Sequence, residues 1–351
     1  AVFVGREETF RRLEELWGTN TAQVVPSVVL FGHRRMGKSS ILQNLGQHRF
    51  GVNTTVAAFT MQRVGKLNHT GELLGAFALS IYDALTDSHL TLPEPNLADF
   101  SGNSYNAFNR FLRATKNVIG ERHLILTIDE FELIEEAIKK GRVDAELLDF
   151  LRGVIHSEPW LVLALAGLHS LEEMTADYWN PLFASVTPVR VSFLTAGASA
   201  QLLANPTDDF PLDFTRDTVD RIYALVRGQP YLTQLVGHTL VRLYNQSVFE
   251  DNKPREPRFT PEDVDEVVSR PEFYEQGSYY FNGVWSQAET SPPPGQIALI
   301  KALAASDEPL TTEKLFAHAT VSDEVGKASL ETLLQHDVFI KIPSSLPTQL
   351  P

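Results

Sequence analysis

Apolar positions follow two rhythms along this chain. Over Glu7 to Trp17 they recur at helical spacing (Phe10, Leu13, Leu16, Trp17), and Gly18 stands where such a helix should end as its C′ residue. Ser27 to Phe31 is an apolar run without alternation, which predicts a strand of a parallel sheet buried on both faces. The run closes on Gly32, after which Ile41, Leu42 and Leu45 resume helical spacing. Val56 to Phe59 reads as a strand, and Leu73 to Leu85 and Phe108 to Ile119 read as helices. Leu124 to Ile128 and Leu161 to Ala166 predict two further buried strands, and Thr187 to Phe193 another, with Val189, Val191 and Phe193 on one side. Strands alternating with helices over residues 1–194 predict an α/β domain, a five-stranded parallel sheet covered by helices.

From Thr195 the strand signal nearly disappears. Ala198 to Ala204, Arg216 to Val226, Tyr231 to Tyr244 and Pro261 to Val268 carry helical spacing, so residues 195–290 are expected to form a helical domain. The aromatic group Phe273, Tyr274, Tyr279, Tyr280, Phe281 and Trp285 contains no basic residue, which favours helical core or a domain contact over a base-stacking surface. Pro292 to Pro294 form a stiff break and mark a boundary. Helices at Gln296 to Ala304, Thr312 to Ala317 and Glu324 to Gln335, then a strand at Val338 to Ile342, give residues 291–351 the order of a winged-helix-like module, truncated to one wing strand.

The 351 residues include 30 Lys and Arg against 44 Asp and Glu, a formal net charge of −14, so nucleic acid is not the default partner of the whole surface. Without cysteine, thiolate nucleophiles, disulfides and Cys-ligated metals are excluded. No His pair has metal-site spacing, and no G-x-S-x-G elbow supports acyl transfer. The longest apolar stretch, Trp160 to Leu168, is about half of a membrane span. No membrane partner and a cytoplasmic location are therefore expected. Because Ala1 opens the sequence and Pro343 to Pro351 are turn-like, it reads as part of a longer protein.

Between the first buried strand and the next helix, Gly32-His33-Arg34-Arg35-Met36-Gly37-Lys38-Ser39 satisfies G-x-x-x-x-G-K-[ST], with Ser40 following. Its two glycines let main-chain amides and a helix N-terminus point at phosphate oxygens. Lys38 would reach the β- and γ-phosphates, and the Ser39 hydroxyl would ligate Mg²⁺. His33, Arg34 and Arg35 are the loop's variable positions, open to a specific role or to a solvated basic surface. Four of the five residues before Asp129-Glu130 are apolar, which puts this pair at the carboxyl end of a strand, where such sheets bind ligands. Asp129 would hold Mg²⁺ through water and Glu130 would position the attacking water. Val56 to Phe59 supplies the extra strand expected between the two motifs. No N-K-x-D element is present for guanine, so ATP is preferred over GTP.

Taken together, Phe3-Val4-Gly5-Arg6-Glu7, the phosphate loop, Ile128-Asp129-Glu130-Phe131 and Arg227 to Gln234 (RGQPYLTQ) resemble the STAND ATPases and the related archaeal-type AAA-like ATPases. The resemblance covers nearly the whole chain in order. It implies a slow, regulated P-loop ATPase with a helical lid and a winged helix. It further implies that Val4, Gly5 and Arg6 line the adenine pocket and that Gly228 and Pro230 of the lid meet the nucleotide. His169 and Ser170 occupy the usual place of γ-phosphate sensors. Gln335-His336-Asp337 looks similar to a winged-helix pair that touches the β-phosphate, and Arg152, Arg190 and Arg216 are arginine-finger candidates by position.

The function this implies is an ATP-dependent switch that changes domain orientation and self-association, with a role in prokaryotic signalling or defence. Two other readings stand beside it. One is a DNA-associated AAA+ ATPase of the origin-recognition or transposition-regulator kind, which the acidic helix Ser322 to Asp337, with Lys327 as its one basic residue, disfavours. The other is a scaffold that binds ATP and rarely turns it over.

Overall fold

The computed structural model describes residues 3–18, 25–47, 54–167, 182–204, 209–306 and 308–342. It divides into two compact units, residues 1–32 with 36–198, and residues 33–35 with 199–351.

The first unit runs α1 (Glu7–Trp17), β1 (Val28–Phe31), α2 (Lys38–Asn44), β2 (Thr54–Thr60), α3 (Thr70–Asp87), α4 (Ser104–Ile119), β3 (His123–Asp129), α5 (Glu132–Lys139), α6 (Glu146–Ser157), β4 (Leu161–Ala166) and β5 (Thr187–Arg190). The strands form one five-stranded sheet in the order β2-β3-β4-β1-β5, with every neighbouring pair parallel. The unalternating runs have their cause in this arrangement. Leu124, Leu126 and Ile128 of β3 and Leu163 and Leu165 of β4 join a core with α3 to α6. The intervening Ile125, Val162 and Ala164 join a second core with α1 and α2 on the opposite face. Each fully buried Leu or Ile contributes about 1.5–3 kcal/mol, so a polar residue at any of these positions would be costly.

Two expectations change. The strand at 54–60 lies between the two motifs in sequence but at the edge of the sheet; β4 is the strand that separates β1 from β3 in space. Gly18 does end α1, but in a right-handed conformation (φ −87°), with its N–H donating to Glu14 O.

Helix α7 (Ala196–Ala204) begins at the end of the first unit, and the second unit continues with β6 (Asp213–Phe214), α8 (Arg216–Val226), α9 (Pro230–Asn245), β7 (Arg258–Phe259), α10 (Pro261–Ser269) and α11 (Pro271–Thr290). These helices share a core around Leu235, Leu240, Phe259 and Phe273. The parallel pairing of β6 with β7 was not expected from the sequence. Thr260 caps α10 in a capping box with Asp263, and Arg255 grips the same carboxylate with both contacts at 2.8 Å. The aromatic group on α11 splits: Phe273 is buried, whereas Tyr274 and Tyr279 are 54% and 84% exposed.

Beyond α11, α12 (Gln296–Ala304), α13 (Thr312–Ala319) and α14 (Asp323–Gln335) pack around Leu299, Leu315, Phe316 and Leu333, a core separate from that of the preceding helices. The strand expected at Val338 to Ile342 does not form among the described residues. The N–H groups of Val338 and Phe339 both donate to Leu333 O, closing the end of α14, and a lone extended segment has no neighbour to pair with.

Candidate functional site

The phosphate loop begins where β1 ends. Gly32 has φ 141°, and a β-carbon there would lie 2.4 Å from the Val191 carbonyl oxygen, so only glycine fits against the end of the neighbouring strand. Arg35 (φ 57°) and Gly37 (φ 88°) are also left-handed, and Gly37 is the N-cap of α2. Alternation of left- and right-handed residues before a helix turns successive N–H groups toward one point, which makes an anion cradle. Lys38 is 8% exposed, and its Nζ donates to Gly32 O at 2.7 Å, folded over its own loop. The Ser39 and Ser40 side chains are exposed on the first turn of α2. The Met36 side chain is fully buried in the core with α1 and α2, so its part in the cradle falls to its backbone.

Arg6, expected beside the base, has a different set of contacts. Its Nη2 donates to Met36 O at 2.6 Å and its Nη1 to Ser192 O at 2.7 Å, tying the phosphate loop to the segment that follows β5. Arg6 is 6% exposed, and burial pushes its pKa below the usual arginine value while Glu7 opposes the shift. Val4 and Gly5 lie in the half-buried segment before α1.

The acidic pair sits at the carboxyl end of β3, with Asp129 in register with Thr60 of β2. With one strand between them, β1 and β3 are roughly 9–10 Å apart, so both motifs emerge at the same edge of the sheet. Glu130 is held at φ 59°, a region non-glycine residues adopt at a cost of about 1–3 kcal/mol and one that concentrates at functional sites. Its N–H donates to Asp129 Oδ1 at 3.1 Å, its Oε1 accepts from Gln62 Nε2 at 2.7 Å, and its buried Oε2 has no hydrogen-bond partner. Gln62 escaped the sequence reading; its position two residues past a strand end was the only available signal.

In the second unit, Gly228 (φ 78°) and Gln229 precede Pro230, the first residue of α9, and Gln229 Oε1 accepts from Leu232 N at 2.7 Å as a helix cap. The residues 33–35 counted with this unit are not simply solvated: His33 is buried with its ring 5.8 Å from that of Tyr280, the Arg35 guanidinium lies 4.1 Å from the Tyr231 ring centre, and Arg34 O accepts from Gln229 Nε2 at 3.4 Å. His336 is buried, with Nδ1 3.2 Å from Gln287 Nε2. Burial pushes the Tyr280 hydroxyl up to about 12, assisted by the Asp337 charge. His169 and Ser170 lie outside the described residues. Arg152 and Arg190 are exposed, and Arg216 is paired with Asp220 at 3.8 Å.

Among the described residues, no three His, Asp or Glu cluster as a self-sufficient metal site. A divalent ion beside Ser39 and Asp129 would complete its shell with phosphate oxygens and water, which suits Mg²⁺. The buried, unpartnered Glu130 oxygen likewise suits a site that receives a polar group. No described helix is long and apolar enough to cross a membrane.

The chain is similar to several solved structures, and with the first of these it shares the fold. The Walker-type ATPase of Pyrococcus abyssi matches with a TM-score of 0.66 at 17% identity over 97% of this chain and 92% of that one. The ORC1 protein of Aeropyrum pernix, solved in complex with DNA, gives 0.48 at 15% identity over 96% and 85%. The RuvB Holliday-junction branch-migration motor of Thermotoga maritima gives 0.48 at 13% over 97% and 91%. No curated protein matches the chain. Residues 2–194, more than half of the sequence and all of the sheet with its two acidic and phosphate-loop motifs, match the AAA ATPase domain, and the chain belongs to that family.

Proposed function

We propose that this chain is an ATP-binding and ATP-hydrolysing molecular switch of the STAND kind, working in the cytoplasm with Mg²⁺. The observation that carries the reading is Glu130: a carboxylate on a strained backbone beside Asp129, one strand removed from the phosphate loop, with one oxygen held by Gln62 and the other buried without a partner. Residues 1–194 act as the ATPase domain, 195–290 as a helical lid and 291–351 as a winged-helix-like module.

The loop amides of Gly32 to Ser40 bind the phosphates, and Lys38 exchanges the Gly32 carbonyl for phosphate oxygens. Val4, Gly5, Arg6 and Pro230 border the nucleotide. Asp129, through water, and the Ser39 hydroxyl hold magnesium, which when bound neutralises charge on the phosphates. Glu130 orients a water whose oxygen attacks the γ-phosphorus; the bond to the ADP oxygen breaks and the water's proton passes to the carboxylate. Contacts available only to the γ-phosphate supply the differential affinity a switch requires. Protein partners or self-association carry the signal onward.

Glu130→Gln tests this. The variant should bind ATP as the wild type does and lose hydrolysis by about 10²–10⁴-fold, the usual contribution of a positioned base. Turnover within a few-fold of wild type would instead support the scaffold reading.

A further inference from the structure

β2 is the outer strand of the sheet: it pairs with β3 on one side, and from Thr55 to Thr60 its other edge has no backbone partner among the described residues. Edge strands are usually blunted by a charge, a proline or a bulge, yet Thr-Val-Ala-Ala-Phe-Thr carries none of these. Beside this edge lies a groove of about 480 Å³. Its walls are Thr55, Val56 and Ala58 of the strand and one face of α3 that bears Ser80, Asp83 and Asp87, with Arg63 also lining it.

The charges are ordered along the groove. α3 runs back antiparallel to β2. Gly71 and Gly75 near its start are packed by Phe100, just before α4 begins, and α4 ends a few residues before β3 starts. The carboxyl half of α3, with Asp83 and Asp87, therefore flanks the beginning of β2, while Arg63 follows the end of that strand. All three side chains are exposed, and none makes an ion pair among the described residues.

We propose that this edge is a self-pairing surface. A second copy of the chain docks on it in antiparallel register, and Arg63 of each copy meets Asp83 and Asp87 of the other. A two-fold axis near Ala57, the centre of β2, brings the start of one strand against the end of the other, so acid meets base twice, whereas a parallel approach would set like against like. Such isologous contacts close on themselves. The pairing joins two five-stranded sheets into one continuous sheet and satisfies the open backbone groups of about 20 Å of strand. It needs no nucleotide, so it stands or falls apart from the proposed ATPase activity.

Sedimentation velocity of the full chain without nucleotide, over about 1 to 100 µM, tests it by mass action. A concentration-dependent dimer is expected for the wild type. Arg63→Glu alone and the Asp83→Arg, Asp87→Arg double variant alone should each weaken it on the order of 100-fold, because each reversal counts twice across the axis. All of these positions are exposed, and the variants should melt with the wild type. An equimolar mixture of the two variants should recover a dimer, since every contact is again opposite in sign. A wild type that stays monomeric at the highest concentration, or a mixture that stays monomeric, overturns the proposal.

Discussion

Replacing Arg6 by alanine removes a buried guanidinium that donates to two carbonyls, Met36 O at 2.6 Å and Ser192 O at 2.7 Å. Hydrogen bonds from a charged donor contribute about 1.5–3 kcal/mol each, and their loss leaves both carbonyls without a partner in a poorly hydrated place. With Arg6 only 6% exposed, solvent screening offsets little of this. The sum is about 3–6 kcal/mol of stability. At about 2–4 °C per kcal/mol for a domain of this size, Arg6→Ala should lower the thermal midpoint of the first unit by roughly 6–24 °C. Arg6→Lys, a single compact charge without the fork, reaches one carbonyl and should restore about half. Scanning calorimetry measures the shift, and binding of ATP compared with inorganic triphosphate assigns its meaning. If Arg6 holds the loop, both ligands weaken together. A variant that melts within about 2 °C of wild type and loses ATP while keeping triphosphate would refute this reasoning and leave Arg6 a contact of the base alone.

Further consequences can be checked separately. Gly32→Ala should cost about 2–4 kcal/mol and abolish phosphate binding, because its β-carbon would meet the Val191 carbonyl at 2.4 Å; unchanged melting would contradict the close approach. Gln62→Ala releases the Glu130 carboxylate and should raise turnover several-fold with ATP affinity unchanged, read as a kcat effect in steady-state assays; equal kcat would show that the contact does not restrain Glu130. Burial, with the Lys116 charge nearby, holds His123 below the ordinary histidine value. The unfolded chain therefore takes up a proton first, so this contribution to stability is intact above about pH 6.5 and declines as the pH falls through the region below it. His123→Gln should flatten that part of the acid slope in thermal melts, and an unchanged slope would rule the group out.

The parallel sheet was legible because strands buried on both faces must be apolar at every position, as Leu124 to Ile128 and Leu161 to Ala166 are. The phosphate loop and Asp129-Glu130 were legible because each is a local pattern tied to a strand end. What escaped depends on distant partners. The two-residue strands β6 and β7 are too short to have a rhythm. Gln62 acquires its role only because Glu130 comes beside it, 68 positions away in sequence. The sequence neighbours of Arg6 suggested a place beside the nucleotide; its two carbonyl partners are invisible until the chain folds. Val338 to Ile342 has apolar residues suited to a strand, but its first amides are spent on closing α14, a competition that periodicity does not record. Met36 falls inside a binding motif, yet its side chain belongs to the core beneath it.

Isothermal titration of ATP with magnesium into the chain, beside the Lys38→Ala variant, bears most directly on the central claim that the Gly32 to Ser40 loop cradles a triphosphate. The account predicts one site per chain with micromolar affinity, about −8 kcal/mol, for the wild type and a loss of at least about tenfold in the variant. No heat with the wild type, or equal affinity in both proteins, would contradict it.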